Sequence, residues 1–268
     1  MKQKRVIIPL FIILFMIILN VIAWNSTAFS DFYVAKIFPL IMTPFSFLTG
    51  LFPFSVGEFL IKLGIIVLIA GILLFIILIL AKKNSRRKIL SFYGVAALWI
   101  ATYIFSTLTT NFFILYHCTR FSDKYFQESE HNDEQLIELY NLLVKNANEL
   151  SDDVERDETG FFVLCDKLSP NAKASLKNIS DEYPLLSGYY PDAKAISSDY
   201  FMSQNSLLGI YFPFSLEANY NPAIYDINLP YTVSHEFAHL KGFIQEDEAG
   251  FIAYIACINS DSDDFRYS

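Results

Sequence analysis

The 268-residue chain is 53% hydrophobic and only 18% charged, a balance that excludes an ordinary soluble globule. Its net charge of -8 excludes the basic face of a nucleic-acid binder, but that charge is unevenly placed. Residues 1–116 hold ten Lys and Arg against two Asp and Glu, a net +8, whereas residues 117–268 hold ten against 26, a net -16. Two segments of opposite sign imply two environments. Cys118, Cys165 and Cys257 are too few for a disulfide framework.

Residues 6–24 are apolar except at Pro9 and Asn20, and they follow the basic Lys2, Lys4 and Arg5. At about 1.5 Å per residue such a helix approaches the roughly 30 Å of a bilayer core. Small residues at Val21 and Ala23 raise a cleaved signal peptide as the rival reading, but the run exceeds a typical core of about 7–15 residues, so an uncleaved anchor is expected. The connection over 25–57 interleaves Phe29, Phe32, Tyr33, Phe38, Phe45 and Phe47 with Pro39, Pro44 and Pro53, which suits short interfacial or re-entrant helices. Ser55 and Glu58 have the spacing of a capping box at the start of a second span, 59–81, in which Lys62 can snorkel to the interface. A third span, 89–116, carries a polar face that includes Thr102, Thr109 and Asn111. Basic residues cluster before the first span and between the second and third, at Lys82, Lys83, Arg86, Arg87 and Lys88. The positive-inside rule then predicts a multi-pass cell-membrane protein with a cytoplasmic N-terminus and an acidic extracytoplasmic domain over 117–268.

Within that domain, 132–149 has helical apolar spacing, Ser169 and Pro170 are expected to open a helix running to about Asp181, and 194–198 and 207–214 read as extended. The chemistry is concentrated in Ser234-His235-Glu236-Phe-Ala-His239-Leu-Lys-Gly242. On a helix beginning near Pro230, the i and i+4 histidines share one face, which suits two positions of a zinc tetrahedron. Glu236 is about 100° around the helix, where its carboxylate reaches a metal-bound water rather than the metal. Gly242 can end that helix in a left-handed conformation. A catalytic zinc needs a third protein ligand, and Glu246 and Glu248 on the next helix, expected over 245–257, both compete for the position.

At these residues the sequence resembles the zincin metallopeptidases, and more closely a bacterial membrane family catalogued as domain of unknown function 3810. Pro53 to Glu58, Gly209 to Asn219 and His235 to Cys257 carry the resemblance. It implies a zincin-like domain with one Zn2+, Glu236 as proton-transferring catalytic residue, and His235 and His239 as ligands. A Glu-x-x-Ala segment supplies the third ligand in such proteins, and Glu246 to Ala249 fits it, which favours Glu246 with Glu248 as the alternative. Relatives often carry Asp or Asn after that Ala, where this chain has Gly250, and they continue with further helix beyond Phe265 to Ser268, so the implied domain is shortened at its C-terminus.

The expected architecture is therefore α+β: a three-helix membrane region over 1–116, with an interfacial segment at 25–57, followed by the zincin-like domain. The expected function is zinc-dependent hydrolysis of a peptide or protein substrate at the lipid bilayer. The alternative is a catalytically inactive binding or scaffold protein with a structural metal site, against which the presence of Glu236 speaks. A cation-binding sensor is supported by acidic charge alone.

Overall fold

The computed structural model describes residues 3–127 and 132–268; Lys2, counted in the first basic flank, lies outside them. Four long apolar helices form the N-terminal part: α1 (Lys4–Asn25), α2 (Thr27–Gly50), α3 (Val56–Ala81) and α4 (Lys83–Tyr116), each long and apolar enough to cross a membrane. Phe11, Ile66 and Phe92 are among many large apolar side chains that α1, α3 and α4 leave exposed, as helices solvated by lipid require. The helices α1 and α4 run parallel, joined by Trp99 Nε1 donating to the Arg5 carbonyl (3.2 Å) and Asn20 Nδ2 donating to Thr109 Oγ1 (2.8 Å). The polar face foreseen on the third span is thus partly used between helices.

Helix α2 departs from the short interfacial pieces expected over 25–57. It is one helical run with a π turn at Tyr33–Ile37, just before Pro39, which has no N–H to give to the preceding turn. Both ends bond to the C-terminal domain. Asp31 accepts from the Thr119 amide and hydroxyl (both 2.7 Å), while Ser46 donates to the Leu216 carbonyl (2.7 Å) and Thr49 to that of Ser215 (3.1 Å). Asp31 and Thr49 are about 27 Å apart along a helix, so α2 lies lengthwise on the domain instead of leading away from it.

The C-terminal domain is built around a three-stranded sheet in the order β1 (Lys194–Ala195), β3 (Glu217–Tyr220), β2 (Gly209–Phe212). The pair β1 and β3 is parallel, with Lys194 opposite Asn219; β2 and β3 form an antiparallel hairpin with Phe212 opposite Glu217, and β2 is an edge. Helices α5 (Phe121–Tyr125), α6 (Asp133–Leu150), α7 (Leu168–Asn178), α8 (Asp199–Gln204), α9 (Leu229–Leu240), α10 (Glu246–Ile258) and α11 (Asp263–Tyr267) complete it. The core joins the two parts of the chain: Phe38 and Met42 of α2 and Ile114 and Leu115 of α4 belong to the same buried cluster as Phe237 and Phe243.

Three local expectations are redirected by tertiary partners. Ser55 does accept from the Glu58 amide (3.1 Å), but the Glu58 carboxylate accepts from Ser197 and Ser198 and pairs with Lys62, so the capping box is not reciprocal. Ser169 is not a cap: α7 begins at Leu168, and the Ser169 hydroxyl accepts from the Ala193 amide (2.9 Å). Helix α6 has a full capping box between Asn132 and Gln135, yet buries no residue of its apolar face.

Candidate metal centre

Helix α9 starts with Pro230 in its first turn, where a missing N–H costs nothing, and presents His235 and His239 on one face. It ends in a Schellman motif: the Gly242 amide donates to the His239 carbonyl (2.9 Å), the Phe243 amide to that of Ala238 (3.3 Å), and Gly242 takes φ +98°. The chain then reverses, and Glu246 opens α10 facing the histidines. His235 Nε2 lies 3.0 Å from Glu246 Oε2, and His239 Nε2 lies 3.7 Å from Glu246 Oε1. One ligand atom from each of the three residues falls within 4.8 Å of the others.

The two glutamates that the sequence leaves in competition are separated by their surroundings. The Glu248 side chain is 3% exposed and accepts from Arg120 Nε (2.8 Å), the Ser122 amide (2.8 Å) and the Ser122 hydroxyl (2.7 Å). Glu246, with a side chain 82% exposed, is the one that meets the histidines. Asp247 also pairs with Arg120, and Gln245 donates to the Tyr116 carbonyl.

His239 Nδ1 donates to the Phe243 carbonyl (2.7 Å), so in the neutral ring Nε2 carries a lone pair toward the Glu246 carboxylate. Two acceptors facing each other are favoured by positive charge between them, which a proton on His239 or a bound cation can supply. Burial pulls the His239 pKa down, but the Glu246 and Glu236 carboxylates outweigh it and the net direction is upward. His235 is instead held down to about 4 by burial and by the charge of His239. The neighbouring His239 and His235 hold Glu246 down to about 2, although burial opposes them. Burial raises Glu236 to about 8 against the attraction of His239. Glu236 Oε2 is buried and has no hydrogen-bond partner among the described residues.

These groups line a cleft of about 510 Å³, whose walls include Phe112 of α4, Leu207, Leu208 and Ile210 along the β2 edge, and Tyr231 and Ile244. Phe112 and Gly209 are contributors that the motif spacing does not reveal. Gly209 backs onto Glu236; the sequence marks it only as the first residue of a block shared with the family and as a glycine opening an otherwise bulky strand. Tyr231 stands beside His235, with ring centroids 6.3 Å apart, and its hydroxyl lies 2.7 Å from where a Cβ on Gly250 would be. Gly250 therefore leaves room for that hydroxyl. Tyr254 faces a separate groove beneath α6. Glu217 is away from the cleft, accepting from the Val56 and Gly57 amides at the start of α3.

No curated protein and no solved structure matches the chain. A family model described as "Protein of unknown function (DUF3810)" matches residues 33–268, from the middle of α2 through the metal-ligand candidates to α11. The chain is thus a member of the DUF3810 family.

Proposed function

We propose that this protein is a membrane-anchored zinc-dependent metallopeptidase with its zincin-like domain outside the cytoplasm. The observation that carries the reading is the convergence of Glu246 on His235 and His239 beside the buried, unpartnered carboxylate oxygen of Glu236. The donor set fits zinc: two imidazole nitrogens and a carboxylate oxygen are ligands it takes at about 2.0–2.2 Å, which puts tetrahedral neighbours roughly 3.4 Å apart. The observed separations of 3.0 and 3.7 Å bracket that value. The facing acceptors of His239 and Glu246 also call for positive charge at this place.

When bound, zinc would acidify a water and polarise the scissile carbonyl. His235, His239 and Glu246 would hold the ion, with Phe243 fixing the His239 tautomer. Glu236 would take a proton from the attacking water and return it to the leaving amine. The β2 edge, within the segment read as extended, offers backbone groups to an extended substrate.

The proposed membrane orientation is supported by the place of the domain. It packs on the Asn25, Val56 and Tyr116 ends of α1, α3 and α4, whereas Lys4, Arg5 and the Lys82 to Lys88 cluster lie at the opposite ends. In the proposed topology the chain crosses three times, α2 lies against the domain, and the positive-inside rule assigns the basic end to the cytoplasm.

The test is zinc stoichiometry and hydrolysis of a quenched-fluorescent peptide mixture by the detergent-solubilised full chain and by Glu236→Gln. One zinc per chain in both, with hydrolysis reduced by about 10²–10⁴-fold in the variant, is expected. Absence of zinc from the wild type would refute the metal site. Zinc bound with no hydrolysis would favour the scaffold reading.

A further inference from the structure

We infer that the substrate is a membrane-tethered polypeptide, cut within a few residues of the outer end of its own span. The inference rests on the peptidase reading and adds where the cleft stands relative to the bilayer. The two arms of the α3–α4 hairpin measure that height from the basic turn between them. Along α4, Phe112, which lines the cleft, lies 24 residues beyond Lys88, the last residue of the basic cluster. Along α3, Gly57 lies 24 residues from Ala81 and meets the ring of Phe212, the last residue of β2. At about 1.5 Å per residue both rulers put the cleft and the far end of β2 about 36 Å from the basic end. With a hydrocarbon core of about 30 Å, this is the outer surface of the membrane: roughly 6 Å outside the core when measured from the 82–88 turn, and closer to the lipid when measured from Arg5, whose partner Trp99 is 13 residues before Phe112.

The hairpin turn after β2 reaches deeper. Asn111 Nδ2 donates to the Pro213 carbonyl (2.8 Å), the Tyr211 hydroxyl donates to the Asn111 carbonyl (3.0 Å), and the Phe214 ring lies 6.1 Å from that of Tyr103. Tyr103 is only 15 residues beyond Lys88, about 22 Å along the helix and so within the core. The domain is therefore pinned with its edge strand at the membrane surface, and it cannot rise without breaking these bonds. A polypeptide leaving a neighbouring span crosses the remaining 6 Å in about two extended residues, at roughly 3.3 Å each. The side chains it would meet, Phe112, Leu207, Leu208, Ile210 and Ile244, are those of a site for the apolar end of a juxtamembrane segment. A folded soluble protein would have to bring a cleavable loop down to the lipid to reach the same strand.

The experiment co-reconstitutes the full-length protein, loaded with zinc, into vesicles of phosphatidylethanolamine and phosphatidylglycerol. One vesicle pool contains membrane proteins extracted from the host, and the other is exposed to the host's soluble proteins. New N-termini that form with the wild type and not with Glu236→Gln or with chelator are mapped by mass spectrometry. The expected result is that they concentrate in the membrane pool within about ten residues, some 33 Å of extended chain, of a span. A free peptide copying such a site should be cut at least about 100-fold more slowly than the tethered protein, because tethering supplies the local concentration. New termini spread through the soluble pool, or equal cleavage of the free peptide, would overturn tethering and leave the peptidase standing. No Glu236-dependent termini in either pool would overturn the peptidase reading and this inference with it.

Discussion

Gly209 packs so closely on Glu236 that a Cβ added to its backbone would meet Glu236 Oε1 at 2.5 Å. The glycine fixes the distance between the β2 edge and the carboxylate proposed to move the proton. Gly209→Ala should push Glu236 from that position while leaving the three ligand side chains in place. The expected outcome is a fall in kcat of about 10²-fold, the scale of a misplacement near 1 Å, with zinc content unchanged. Loss of zinc in this variant would show that the glycine supports the ligands instead.

The two acidic candidates for third ligand make opposite predictions. Glu246→Gln should weaken zinc binding by more than the roughly 10–100-fold typical of an outer-shell partner, with little loss of thermal stability, because its side chain is mostly exposed. Glu248→Gln should retain zinc and lose about 2–4 kcal/mol of stability, because it disrupts charge-assisted bonds from Arg120 and Ser122 in a buried setting. Metal analysis and thermal melts of the two purified variants distinguish these outcomes; the reverse pattern would move the site to Glu248.

This contrast also marks how far the sequence could be read. The i, i+4 histidines, Pro230 and Gly242 define α9 and its end by local rules, and the observed helix follows them. The choice between Glu246 and Glu248 is not local, since both follow the same turn. It is made by Arg120 and Ser122, more than 120 residues earlier in the chain. Phe112 is hidden for the same reason: its place in an apolar helix identifies it as lipid-facing or packing, and only the docking of β2 beside α4 turns it toward the cleft. The aromatic character of 25–57 was legible, but its lengthwise docking depends on Thr119, Ser215 and Leu216. Ser169 and Glu58 had ordinary capping positions, and each found a stronger use in a tertiary hydrogen bond.

Lys194 and Glu217 form a buried ion pair between β1 and β3, with Lys194 Nζ also donating to the Thr49 and Phe54 carbonyls and Glu217 accepting from the first amides of α3. The pair ties the sheet to two membrane-proximal helices at once. Lys194→Met or Glu217→Met alone should cost about 3–5 kcal/mol, because each leaves a buried charge without its partner. The double variant Lys194→Met with Glu217→Met should cost less than the sum, with a coupling of about 0.5–3 kcal/mol. Thermal melts of the four proteins in one detergent provide the cycle, and strict additivity would show that the charges act independently.

The raised pKa of Glu236 gives a stability profile that can be measured without metal. Its folded value near 8 lies above the ordinary 4.5, so the folded chain holds a proton that the unfolded chain releases. The corresponding stability is fully present below pH 4.5 and is lost as pH rises through 8. Glu236→Gln removes that dependence, because a neutral amide has no proton to lose. The depressed His235 acts in the opposite direction, losing stability as pH falls from 6.5 toward 4, but it is present in both proteins and to first order drops out of the comparison. In chelator, the melting temperature of the variant should therefore rise relative to wild type between pH 5 and pH 8.5. A gain of roughly 5 °C at the upper end corresponds to about 2 kcal/mol for a domain of this size. A difference that stays flat across the range would mean that Glu236 is already ionised in the metal-free fold, and that water or a neighbouring donor reaches its second oxygen.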